Sequence, residues 1–240
     1  MYVNKLFCGF LLMWNIATLS QKGNITVEYK SIIQDNKDLY GAFDYEKTKL
    51  ITNGIESLYF ETALDTIVNI DNSDTYYNNG SENFKRYYKN LKDKYIIYDK
   101  NYGVKGIIKD ENYNIQWVIT ENTKSILGYS CQEAIGDFRG RKYKAYFLKD
   151  IPFQNGPHKF DGLPGLILAV ESLDNAVKIE AQKIIVDEGI ITNPFSNVKL
   201  ISWNDFLTKY KLYFDKITSY RGEEGVSMII AKRYIEVFID

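Results

Sequence analysis

Few residues in this chain of 240 could do covalent or metal chemistry: there is one histidine, His158, and there are two cysteines, Cys8 and Cys131. A nucleophilic thiol needs a base within hydrogen-bond reach and a third group to orient that base. Cys131 and His158 could meet, but no third residue or oxyanion loop stands out beside either. Cys131 lies in Tyr129-Ser130-Cys131-Gln132-Glu133-Ala134, which alternates as a strand does, and the better reading is a small buried hydrophobe. His158 with Asp150 and Asp161 lacks the ligand density of a metal centre, so His158 reads as a residue at a sheet rim. The expectation is no catalytic residue, no metal ligand and no cofactor. Arg139, Arg141, Lys142 and Lys144 form a short basic patch that reads as the solvated face of a strand. The 20 tyrosines offer either a sugar-stacking or protein-binding face, or simple strand propensity, which is the favoured account.

Thirty basic residues against 31 acidic ones leave a net charge of −1, which implies no nucleic-acid partner. A composition 45% hydrophobic and 25% charged is that of a globular chain. The first 20 residues read as a removable export signal. Lys5 supplies the positive start, Leu6 to Trp14 the apolar stretch, and Thr18 and Ser20 the small residues before a cut that leaves Gln21 first. The apolar stretch is too short to span a membrane comfortably, so no transmembrane segment is expected in the mature chain. Processing removes Lys5 and no acid, taking the charge from −1 to −2. It also removes Cys8, leaving Cys131 without an intramolecular partner. Residues 21–240 are expected to form a single β-rich domain.

The elements that must position these side chains are mostly strands. Runs at 24–34, 49–51, 57–61, 95–98, 104–108, 115–120, 129–135, 142–148, 166–170 and 177–185 alternate in hydropathy, and Gly, Asn and Asp clusters separate most of them. Residues 72–90 read as a polar loop or short helix. Strands in succession without helices imply antiparallel pairing. One helix is well signalled at about 203–220: Ser202 is the N-cap, and Trp203, Phe206, Leu207, Tyr210, Tyr213, Phe214 and Ile217 form its apolar stripe. A last strand is expected over 228–230 and 234–239. The fold class is mainly β (α+β), an antiparallel sheet with one amphipathic helix packed on it.

Three of the four prolines crowd into 152–164, between two strands. Leu163-Pro164-Gly165-Leu166 has the residues of a type II turn, with Gly165 at positive φ. The stretch reads as a stiff crossover at a sheet rim, where charge changes at His158 or Lys159 leave stability nearly intact. Leu166 and Leu168 are expected on one face of the strand that follows, and Ile167 on the other.

The hexapeptide Gly162-Leu163-Pro164-Gly165-Leu166-Ile167 resembles the signature of the GLPGLI family of exported Bacteroidota proteins. Trp117, Gly128-Tyr129, Cys131-Gln132, Ala134, Phe138, Gly140-Arg141, Tyr143, Ala145-Tyr146-Phe147, Ile151-Pro152, Gly156-Pro157 and Lys159-Phe160 carry the same resemblance, which covers about residues 113–170. The stretch is also similar to the N-terminal bowl-shaped domain of a type II peptide N-glycosidase, which implies a curved antiparallel sheet, a half-barrel. The family has no established activity. Gly156, Pro157, Lys159, Phe160, Gly162, Leu163, Pro164, Gly165, Leu166 and Ile167 are the motif residues, expected to be structural and to line the rim. The expected function is that of an exported, non-enzymatic binding protein, periplasmic or secreted, holding an apolar ligand or partner segment in its curved sheet. The alternatives are an accessory or docking module for glycan-processing enzymes and an enzyme of unrecognised type. A lipid-like ligand, a glycan and an envelope protein are the candidate partners.

Overall fold

The computed structural model describes residues 23–33, 44–62, 66–70, 73–77, 86–99, 103–187, 190–220 and 234–239. The export signal read at 1–20 and the strand read at 228–230 lie outside the described residues.

Fourteen strands and one helix make up the described elements. In chain order the strands are β1 (Asn24–Ile33), β2 (Asp44–Thr52), β3 (Glu56–Glu61), β4 (Thr66–Ile70), β5 (Ser73–Tyr77), β6 (Arg86–Asn90) and β7 (Tyr95–Tyr98). They continue as β8 (Ile107–Asp110), β9 (Gln116–Ile126), β10 (Tyr129–Phe138), β11 (Arg141–Leu148), β12 (Leu166–Ser172), β13 (Val177–Asp187) and β14 (Leu200–Ser202). Twelve of them form one open, curved sheet in the order β14-β8-β7-β6-β3-β2-β1-β13-β12-β11-β10-β9, and β4 and β5 pair separately. All pairs are antiparallel except β14 with β8.

Period-2 alternation sets which side chains face the core. On β1, Ile25, Val27, Tyr29, Ser31 and Ile33 point into the main core. Their neighbours continue the row across the sheet: Val27 opposes Leu50, Leu50 opposes Tyr59, Tyr59 opposes Tyr87, and Tyr87 opposes Tyr98. This face is the inner face. The tyrosines are therefore mainly core residues, as strand propensity implies. A smaller cluster of Tyr88, Ile97 and Phe195 covers the other face.

Two hairpins turn on two residues with positive φ, Leu127-Gly128 and Arg139-Gly140. Positive φ at both central residues suits the twist of paired strands. Gly136, read as a strand boundary, lies inside β10; a Cβ there would approach the Trp117 ring to 2.7 Å, so the glycine makes room for the indole. Residues 72–90 contain β5 and β6 where a loop or helix was expected. Within β6, Tyr87 and Lys89 face the core and Tyr88 the opposite side, and this two-sided burial overrides the polar composition.

The helix α1 (Trp203–Thr218) starts at Ser202, whose hydroxyl oxygen accepts the Asp205 N–H at 3.1 Å. Trp203, Phe206 and Tyr210 are its buried residues. Its last residue is Thr218, and Ser219 is the C-cap, close to the expected end at about 220. Residues 234–239 are a bent segment rather than a strand, with the Tyr234 N–H donating to Glu236 O at 2.9 Å, and are tied to the β10–β11 turn by the Val237 N–H donating to the Arg139 carbonyl at 3.0 Å.

Candidate functional site

The crossover from β11 to β12 packs over the inner face. Its turns are tight: the Phe153 N–H donates to Ile151 O at 2.8 Å and the Asn155 N–H to Phe153 O at 2.7 Å. The Gly165 N–H donates to Leu163 O at 2.8 Å, so the chain bends in a three-residue turn centred on Pro164. The expected type II turn is absent, and positive φ falls on Gly162, at 85°. Gly165 is needed for another reason: a Cβ there would lie 2.4 Å from the Leu148 carbonyl oxygen. Gly156 is similarly closed in: a Cβ there would lie 2.6 Å from Ile167 Cβ. Beyond the turn Leu166, Ile167 and Leu168 are all fully buried. A bulge skips Leu168 in the pairing with β11, so simple two-face alternation does not hold there.

Sheet and crossover are joined by buried charges. Lys89 on β6 is fully buried; its ammonium donates to Gly156 O and Phe160 O, both at 3.0 Å, and stands 3.8 Å from Asp161 Oδ2. Burial pushes the Lys89 ammonium down to about 8, while Asp161 pulls it the other way. Lys159, also fully buried, donates to Tyr98 Oη at 3.0 Å, Asp110 Oδ2 at 3.3 Å and Glu236 Oε1 at 2.5 Å. Arg139 completes this cluster with two 2.8 Å bonds to the Asp110 carboxylate. Burial alone would raise the Asp110 carboxyl, but Lys159 and Arg139 hold it below its ordinary value. Two cations thus face two carboxylates, the arrangement that burial of charge demands.

These contacts correct three sequence readings. His158 and Lys159 are buried rather than exposed at a rim, and His158 packs its ring against Tyr87 with centroids 4.1 Å apart. In the basic patch, alternation turns Arg141 inward and leaves Lys142 exposed. The ring-to-ring filling of the inner face, by Tyr29, Tyr98, Tyr143, Phe138, Phe147 and Phe160, leaves it packed rather than open to an apolar ligand. Cys131 is fully buried on β10, its thiol 3.7 Å from the Tyr129 carbonyl and pushed up to about 11 mainly by burial.

A cleft of about 560 Å³ lies where the β2–β3, β6–β7 and β8–β9 connections meet the crossover. Gly54, Ile55, Leu91, Lys92 and Lys94 line one side; Glu111, Tyr113, Asn114, Pro152, Gln154, Asp161 and Gly162 complete it. Asp161 joins cleft and interior, its side chain 13% exposed and its main-chain oxygen accepting the Trp117 Nε1–H at 2.8 Å. The buried Tyr113 lines the same cleft as Asp161. Burial raises the Asp161 carboxyl above its ordinary value against the opposing pull of Lys89, Tyr113 and Lys94. Two lysines and two carboxylates make the lining neutral overall, and its amides and Tyr113 suit a neutral, hydrogen-bonding ligand. Lys89, Asp110, Tyr113 and Glu236 are not evident as site residues in the sequence; the one available signal was a charge at an inward position of a β-rich run. Among the described residues no group of three or more His, Cys, Asp and Glu could hold a metal ion.

Residues 139–169 match a family described as "Protein of unknown function (Porph_ging)". The match contains Gly162–Ile167 and all the other motif residues, from Gly156 onward. The fold is similar to PNGF-II in two crystal forms, each with a TM-score of 0.53 and 16% identity. The first aligns with 77% of this chain and 32% of its own, the second with 80% and 33%, so the chain spans about a third of the length of the solved chains it matches. No curated protein matches the sequence.

Proposed function

We propose that this protein is an exported, non-enzymatic binding module of the cell envelope whose ligand enters the polar cleft at Tyr113 and Asp161. The observation that carries the reading is a contrast: the inner face is packed solid, while the Asp161 carboxyl, 3.8 Å from the buried Lys89 ammonium, opens onto a 560 Å³ cleft that Tyr113 also lines. A neutral lining of carboxylates, ammonium groups and amides favours hydroxyl- or amide-bearing ligands over a lipid. Export is supported by the signal features read at Lys5 and Leu6–Trp14. The described helix is not long and apolar enough to cross a membrane. A second reading, an accessory module for glycan-processing enzymes, draws on the fold shared with about a third of PNGF-II.

A glycan array and a pull-down from the host envelope, each run with the wild-type protein and Asp161→Asn, test both readings. Binding that the variant loses supports the cleft. Capture of a glycan-processing enzyme that both proteins retain favours the accessory reading. Blank results in both experiments reject both readings, and a turnover activity abolished in Asp161→Asn rejects the non-enzymatic assignment.

A further inference from the structure

The two edges of the large sheet are unequal. β14 is three residues long and runs directly into α1, so that edge is short and blunted. β9, at the other end, has 11 residues; β10 pairs with one side of it, and among the described residues nothing pairs with the other. The Thr120 and Asn122 carbonyls turn toward β10, where Gln132 Nε2 donates to both. Alternation along the strand then turns the main-chain N–H and C=O groups of Trp117, Ile119, Glu121 and Thr123 to the open edge. Such a row of donors and acceptors is a template for another strand.

Open edges are usually protected by charge, proline or a bulge. On β9 the polar side chains are instead tied back to their own sheet. Lys124 donates to Glu171 Oε1 at 2.8 Å and to Glu180 Oε2 at 2.9 Å, and Thr120 Oγ1 and Asn122 Nδ2 both donate to Glu133 Oε1 at 2.9 Å. The second half of the strand is bulged, because Thr120, Glu121 and Asn122 stand against Glu133 alone. The first half, residues 116–120, has no charge and no proline. It also leaves Val118 70% exposed and Ile119 47% exposed.

The strand that complements this edge is its own copy. A two-fold axis at Val118 sets Val118 against Val118, Trp117 against Ile119 and Gln116 against Thr120, so apolar residues meet apolar ones and an amide meets a hydroxyl. Trp117 and Ile119 both turn main-chain groups outward, so they form the hydrogen-bonded pairs, and Val118 falls in the closer pair between them. Glu121 lies outside the paired stretch, and each chain carries a net charge of only −1, so nothing in the contact opposes like charges. We infer that β9 is a homodimerisation edge: two copies pair antiparallel through residues 116–120 about a two-fold axis at Val118, joining two 12-stranded sheets into one. The inference is independent of the polar cleft, which no β9 residue lines.

Sedimentation velocity of the full chain over a concentration series should show a reversible monomer–dimer equilibrium. Val118→Lys sets two ammonium groups face to face and should weaken dimerisation about tenfold or more. Ile119→Pro removes an N–H that points away from β10, where an edge strand tolerates proline, and should act in the same direction. Circular dichroism checks that both variants remain folded, and Val118→Lys, at an exposed position, serves if Ile119→Pro does not. Under mild oxidation Val118→Cys should form a covalent dimer, whereas Leu173→Cys, at the 49% exposed β12–β13 turn, should not. A wild-type chain that stays monomeric at every concentration, a folded Val118→Lys chain that dimerises as the wild type does, or equal crosslinking by the two cysteine variants overturns the inference.

Discussion

At Gly165 a single hydrogen atom decides whether the crossover can meet β11. A methyl group there would lie 2.4 Å from the Leu148 carbonyl oxygen, a backbone atom that cannot swing aside. Gly165→Ala should therefore destabilise the protein by about 2 kcal/mol or more, on the scale of overpacking, measured as a lower urea midpoint at unchanged m-value. Lys159 is the second decisive residue. Replacing it with Met leaves Asp110 and Glu236 buried with Arg139 as the remaining cation of the cluster. Lys159→Met should cost about 3–5 kcal/mol, the usual consequence of removing one partner of a buried ion pair. Equilibrium unfolding that showed under 1 kcal/mol, the range of surface pairs, would restore the exposed-rim reading. Cys131 and His158 were visible at once as chemically notable types, yet the packing around each one is that of a core residue.

Elements were easier to read than the side chains they carry. The helix was legible because cap and stripe act locally: Ser202 satisfies a free amide, and Trp203, Phe206 and Tyr210 share one side of the cylinder. Ser202→Ala should destabilise by about 1 kcal/mol, with the loss showing as faster amide exchange over Trp203–Leu207. An unchanged exchange rate there would mean that packing against the sheet, rather than the cap, holds the first turn. β6 was missed for the complementary reason. Its polar residues suggest a loop, but Lys89 is stabilised inside by the carbonyls of Gly156 and Phe160, which lie 67 and 71 residues away. The turns were partly misread because Gly136 looks like punctuation, whereas its role is to accommodate the Trp117 ring across a strand pair.

For the whole molecule, the buried carboxyls give acid unfolding a definite shape. Asp110 is depressed in the folded state, so its stabilisation is present above its unfolded value of about 3.8 and is lost as pH falls through the lower folded value. Asp161 is raised, so burial of its charge opposes folding at neutral pH and is relieved as pH falls through the raised value. Denaturant unfolding between pH 6 and pH 2 should show a shallower acid decline for Asp110→Asn than for the wild type. Asp161→Asn should show a steeper one, because it removes the opposing contribution. Glu133 and Asp174, both depressed, add to the acid decline in all three proteins. Identical slopes would show that the two buried clusters do not govern acid lability.

The sequence alone was sufficient for an antiparallel sheet, a late amphipathic helix and a proline-stiffened crossover between two strands. Each of these follows from short-range facts: a period of two, a period of 3.6 with a cap, and the fixed φ of proline. The tertiary structure decided where the charges go. Lys89, Asp110 and Glu236 are unremarkable along the chain, Lys159 stands out only as part of the motif, and as polar residues all four would be assigned to solvent. They are stable inside because a crossover and a C-terminal segment, distant in sequence, bring carbonyls and opposite charges within bonding distance. Burial of an ion is favourable only once all its partners are present, and which partners meet is a property of the folded chain, not of any window of its sequence.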